Sequence, residues 1–170
     1  MERPTTNRSF NVSISITPGE FFDRLTILEI KCERLKYEKQ AEALRQFRPL
    51  AESPSGQQLI YFRRSNPTIA RLVSQLLSIN SRLWDIENGI READAAVFGG
   101  AGPAYMIEPA KYGDDPKVHG DLLHYVELAR SVYVTNDERS RCKQAIDEFF
   151  NVQTTEVKEY THYDKKQISS

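Results

Sequence analysis

Three runs of polar residues stand at helical spacing beside apolar stripes, in the arrangement that acid–base or anion chemistry requires. In the first, Asp23, Thr26, Glu29 and Glu33 follow one edge of the stripe Phe21, Leu25, Leu28, Cys32 and Leu35, while Arg24, Lys31 and Arg34 follow another. Glu29 and Glu33 are one helical turn apart, as are Lys31 and Arg34, so each like-charged pair costs about 0.2–0.5 kcal/mol in an isolated helix. Local pairing would have placed opposite signs at those spacings. The pattern therefore calls for partners from another helix, from a ligand or from solvent. In the second run, Asn80, Trp84, Glu87 and Arg91 keep the heptad rhythm one step round from an apolar seam. The single tryptophan stands at that seam's edge, where a buried indole N–H needs an acceptor. In the third, Asn136, Asp137, Arg139 and Lys143 open an expected helix, whose free N-terminal N–H groups suit an anion.

These edges admit two readings. In one they converge on a pocket, with the carboxylates Asp23, Glu29 and Glu87 facing Arg91, Arg139 or Lys31 around a small anionic or metal-bound ligand. Glu29 or Glu87 would then act as base or metal ligand in a small all-helical enzyme for an anionic metabolite or nucleotide. In the other, the charges pair between helices and fix the register of a bundle, and the protein is a binding or accessory protein. The partner is expected to be an anionic small molecule or a protein; no cofactor and no metal site is indicated.

Other signals carry less. His119 and His124 are five apart, whereas helical metal pairs stand four apart. Gly99-Gly100-Ala101-Gly102 follows a helix instead of linking strand to helix, the setting of a helix stop and not of a phosphate loop. Cys32 and Cys142 lack any CxxC spacing and fall on apolar stripes, so both are expected in the core. No Ser-His-Asp or Cys-His constellation is evident.

The elements that must position these residues are mostly helices. Thr17-Pro18-Gly19-Glu20 is a capping box with proline at the first helical position, and Ile16 and Phe21 can staple it. That helix is expected from Pro18 and can run on through Tyr37 to Phe47. Pro49 and Ser53-Pro54-Ser55-Gly56 interrupt the pattern, and Gln58–Arg64 is ambiguous, open to a short turn of helix. Asn66-Pro67 caps and opens a second long helix along Leu72, Leu76, Ile79, Leu83, Ile86 and Ile90. Helix restarts at Asp115-Pro116 or Asp121, with Leu122, Val126, Ala129 and Tyr133 on one face. The β-branched run Val132–Thr135 and a second T-x-x-E box predict a break or kink at Thr135, then a last helix to Phe150. Phe10, Val12, Ile14 and Ile16 alternate with polar residues, and residues 154–163 are rich in β formers. The expected architecture is mainly α: a bundle of three or four helices with a two-stranded ribbon made by the N- and C-terminal segments. It forms one domain over residues 10–163, between a disordered start at 1–9 and a frayed tail at 164–170.

A chain of 170 residues suffices for one core. A net charge of −1 makes nucleic acid an improbable general partner, since such proteins carry a basic excess. The first residues lack the apolar segment of a secretory signal, and no apolar run reaches the ~20 residues that span a bilayer. A cytoplasmic location is the expectation.

The blocks SITPGEFFDRLTILEIKCERL, INSRLWDIENGIRE, ELARSVYVTNDERSRCKQAIDEFF and EVKEYTHY occur in that order. Together they resemble a bacterial and phage family of small helical proteins, a domain of unknown function. The resemblance implies a mainly helical fold and a gene neighbourhood of surface-polysaccharide synthesis, beside glycosyltransferases; it supplies no activity. Its motif positions fall on Asp23, Thr26, Glu29, Lys31 and Arg34, then Asn80, Trp84, Glu87 and Arg91, then Tyr133, Asn136, Arg139 and Lys143, and finally Glu156, Lys158 and Tyr160. The chain departs from the pattern in longer connections at 37–66 and 97–118.

Overall fold

The computed structural model describes residues 14–98 and 116–152, with side chains over 14–95 and 120–152. Five helices lie among the described residues: α1 (Pro18–Arg34), α2 (Tyr37–Glu52), α3 (Pro54–Ser65), α4 (Pro67–Phe98) and α5 (Pro116–Phe149). The mainly helical class holds, with more helices than the three or four expected. Residues 14–17 form no strand. The rest of the expected ribbon, like segments 1–9 and 164–170, lies outside the described residues.

Helix boundaries follow side-chain chemistry. Thr17 caps α1 by accepting the Glu20 N–H on its hydroxyl at 3.2 Å. Asn66 opens α4 by accepting the N–H groups of Thr68 and Ile69 at 3.0 and 3.2 Å. These donors have no partner inside their own helix, so a short polar side chain satisfies them.

Between the two, the chain departs from expectation. α1 does not continue to Phe47. It stops at Arg34, Leu35 and Lys36 turn extended, and Tyr37 takes a φ of 54°. The Gln40 side chain donates to the Cys32 carbonyl at 2.7 Å, which satisfies one of the acceptors a helix end leaves open. Pro49 is tolerated inside α2, and the break falls at Ser53. Ser53 serves both helices: its hydroxyl donates to the Leu50 carbonyl at 2.9 Å and accepts the Gly56 N–H at 3.0 Å. Gly56 is buried in that turn, where a Cβ would collide with the Leu50 carbonyl. α3 therefore replaces the single turn expected over Gln58–Arg64.

Nor does α5 break at Thr135. It is one helix of 34 residues with Thr135 buried against its neighbours. β-branched residues lose only tenths of a kcal/mol each in a helix, and packing overrides that preference. Glu138 bonds Arg82 on α4 instead of closing a capping box.

The core lies between α1, α4 and α5. Phe22 and Leu25 of α1, Ile69, Val73 and Leu76 of α4, and Ile146 of α5 are essentially inaccessible to solvent. The pairings Leu72–Cys142, Arg82–Glu138 and Gly89–Leu128 descend in step, so α4 and α5 run antiparallel. Cys142 is in the core, whereas Cys32 is only half-buried. α2 and α3 form an outer layer, with Phe47, Leu50, Leu59 and Ile60 packed on the core edge. Leu122 and Val126, on the shared face of α5, are exposed. No helix among the described residues is long and apolar enough to cross a membrane.

Candidate functional site

A polar spine runs through the α1–α4–α5 interface. At its base, the N-terminus of α1 meets Asp147 of α5, which is buried. The Gly19 N–H donates to Asp147 Oδ1 at 2.6 Å, and the Thr17 hydroxyl donates to Oδ2 at 2.9 Å. A helix N-terminus is a natural anion site, and here the anion is the protein's own carboxylate. The sequence placed such a site at Asn136. That residue lies inside the continuous α5, where backbone N–H groups are taken up by the helix.

One turn further along α1 stands Asp23, 2% exposed. Arg139 grips it with two parallel bonds, Nε to Oδ1 at 2.8 Å and Nη2 to Oδ2 at 2.5 Å. Asn80 of α4 donates to Asp23 Oδ1 at 3.0 Å and to the Thr26 hydroxyl at 2.9 Å. The Thr26 hydroxyl in turn donates a shared hydrogen bond to the Phe22 and Asp23 carbonyls at 2.9 and 3.0 Å. Lys143 lies 3.7 Å from Asp23 Oδ2 and bonds Glu20 at 2.6 Å. Arg24 closes on Glu20 at 2.9 Å.

The electrostatics match this geometry. The hydrogen bonds that Arg139 donates to Asp23 raise its guanidinium above its ordinary value, against the opposing effect of burial, with Asp23, Glu20 and Glu87 adding attraction. Burial pushes the Glu20 carboxyl up, but the bonds from Lys143 and Arg24 outweigh it and hold the carboxyl below its ordinary 4.5. Every buried side-chain N or O among the described residues has a hydrogen-bond partner. A closed network of this kind rigidifies and specifies an interface.

Of the residues singled out by sequence, Asp23, Thr26, Asn80, Arg139 and Lys143 meet in this spine, with Asn136 at its rim, 3.5 Å from Arg139. The others stand elsewhere. Glu29 bonds Arg63 of α3 at 2.6 Å. Arg34 bonds Asp85 and Ser81 of α4, both at 2.5 Å. Glu87 and Arg91 pair with each other at 3.8 Å on the surface. Lys31 borders a shallow groove of about 330 Å³ between α1 and α2. Trp84 is half-buried on α4. Glu29, Glu87 and Asp23 thus belong to three separate ion pairs, not to one hollow.

Sequence reasoning missed Glu20, Asp147 and Arg63. Asp147 was legible in principle, since Arg139, Lys143 and Asp147 form a four-residue rhythm beside Cys142 and Ile146. Glu20 had been assigned to the capping box, and Arg63 lay in the segment whose pattern was ambiguous.

A second feature is a cleft of about 490 Å³ where four helices meet, with Leu25 and Glu29 from α1, Phe47 and Ala51 from α2, Ile60, Arg63 and Arg64 from α3, and Ala70 and Ser74 from α4. Among the described residues no group of three or more His, Cys, Asp or Glu side chains is placed to hold a metal ion. Comparison with known proteins finds no matching family model, no matching curated protein and no matching solved structure.

Proposed function

We propose that this chain is a binding or accessory protein, and that its polar spine is a structural lock rather than a reaction centre. One observation carries the reading: both Asp23 oxygens take their donors from Arg139 and Asn80. A general base or metal ligand needs a lone pair turned toward substrate or ion, whereas Asp23 is buried and spends three of its acceptor sites on the protein. Glu29 pairs instead with Arg63 of α3 and Glu87 with Arg91 on the surface, so the three carboxylates do not share one centre. The resemblance to a family from surface-polysaccharide gene clusters suggests the setting, an accessory role beside glycosyltransferases.

The test is incubation of the purified chain with nucleotides and nucleoside-diphosphate sugars, with and without divalent cations, read by ³¹P NMR for turnover and by thermal shift for binding. A ligand that binds only the native state raises the melting temperature. The expected outcome is no turnover, with any thermal shift retained in Glu87→Gln. Turnover that disappears in Glu87→Gln or Arg139→Lys, in variants that remain folded, overturns the reading in favour of a helical enzyme for an anionic metabolite.

A further inference from the structure

We infer that the cleft between α1, α2, α3 and α4 is a binding site for a small amphiphile with one anionic head, a phosphate or a carboxylate, on an apolar body. The inference rests on the binding reading above and adds a location and a ligand class. Its volume of about 490 Å³ falls in the range of small-molecule pockets, roughly 300–1,000 Å³. Leu25, Phe47 and Ile60 supply apolar wall, and Ala70 and Ser74 leave room that larger residues would fill.

The charge at the site is asymmetric. Glu29, Arg63 and Arg64 line it, so one acid faces two guanidinium groups. Glu29 takes a single bond from Arg63, at Nη1. A guanidinium has five N–H donors in a fixed fork, so Arg63 is oriented by Glu29 while its remaining donors stay available. Arg64 has no hydrogen bond or ion pair with any described residue. Two adjacent guanidiniums, one of them already oriented, suit a carboxylate or phosphate better than a neutral or cationic head.

The walls are fixed before any ligand arrives. α3 is tied to the turn that follows α5 by the edge-on contact of Phe62 with Phe150, ring centres 5.5 Å apart, and to α2 by the shared cap at Ser53. A preformed site spares the ligand the cost of ordering it.

The experiment is an amide-resolved NMR titration with octyl phosphate, octanoate, octanol and inorganic phosphate as separate probes. Octyl phosphate and octanoate are expected to shift amides of α3 and the first turns of α4 saturably. Octanol and inorganic phosphate should each bind at least about tenfold more weakly, since each supplies half of the recognition. A better response to octyl phosphate identifies a phosphate-headed ligand, and a better response to octanoate an acyl one. Arg64→Glu and Ser74→Phe alter exposed positions and should leave the fold intact. The first should weaken anion binding at least about tenfold without changing octanol binding, and the second should weaken all amphiphiles. No saturable shift up to about 10 mM, or binding indifferent to both substitutions, overturns the inference. Such a failure leaves the binding reading standing, because that reading falls only on turnover in the ³¹P experiment.

Discussion

Replacing Gly19 with alanine should destabilise the protein, although the same change in an ordinary helix stabilises it. Alanine is favoured over glycine in a helix by about 0.8–1.0 kcal/mol. Gly19 lies in the first turn of α1, and an added Cβ would fall inside contact distance of the Lys143 carbonyl and 2.9 Å from Asp147 Oδ2. The carbonyl belongs to the α5 backbone and cannot rotate aside, so α1 must lift away. That movement breaks the 2.6 Å bond from the Gly19 N–H to Asp147 and the 2.9 Å bond from Thr17. Hydrogen bonds to a charged group contribute about 1.5–3 kcal/mol each, and overpacking costs about 1–3 kcal/mol. Allowing for the helix preference and for partial relaxation, the net loss is about 2–4 kcal/mol. In a chain of this size that lowers Tm by roughly 4–16 °C. Urea denaturation with thermal melts as a second measure checks it, with Asp147→Ala alongside. Because both substitutions remove the same contact, the double variant should lose much less than the two singles together. A Gly19→Ala protein as stable as its parent would refute the seating of α1 against α5 described here.

Three further outcomes follow from the same geometry. Arg139→Ala strands the buried Asp23 carboxylate and should cost about 3–5 kcal/mol, yet the same substitution made in Asp23→Ala should cost under about 1 kcal/mol; equal costs in the two backgrounds, measured by urea titration, would show that the pair is not coupled. The Glu20 carboxyl is held below its ordinary 4.5 in the folded state, so its contribution is present above that value and is lost as pH falls through the folded value. Glu20→Gln should therefore flatten the decline of Tm below about pH 4.5, and an unchanged acid limb would contradict the Lys143–Glu20 contact. Burial raises the Cys142 thiol and its S–H donates to the Leu72 carbonyl at 3.3 Å, so an aromatic disulfide reagent should titrate half-buried Cys32 first and reach Cys142 only on unfolding.

The parts of the fold legible from sequence are those in which a residue acts on its own neighbourhood. Thr17 and Asn66 announce helix starts because the groups they satisfy lie two or three residues away. The seam Leu72, Leu76, Ile79 and Leu83 is buried as its spacing requires. The turn at Leu35–Tyr37 carries no glycine or proline to mark it, and its strap comes from Gln40, whose role appears only once the chain has doubled back. At Thr135 the local signal was real but small, and burial of that residue in the bundle outweighed it.

The same division runs through the site. From sequence alone came the class of fold, two capped helix starts, the apolar seam, and polar edges that local pairing leaves unsatisfied. A spacing rule records which residues share a helix face, because that is a property of one helix. It carries no information about the rotation and offset of one helix against another, which depend on how side chains from separate segments fill the common core. Tertiary packing therefore decided that Asp23 meets Arg139, Asn80 and Lys143 in the interior. It also sent Glu29 outward to Arg63, where α2 and α3 complete a cleft beside them.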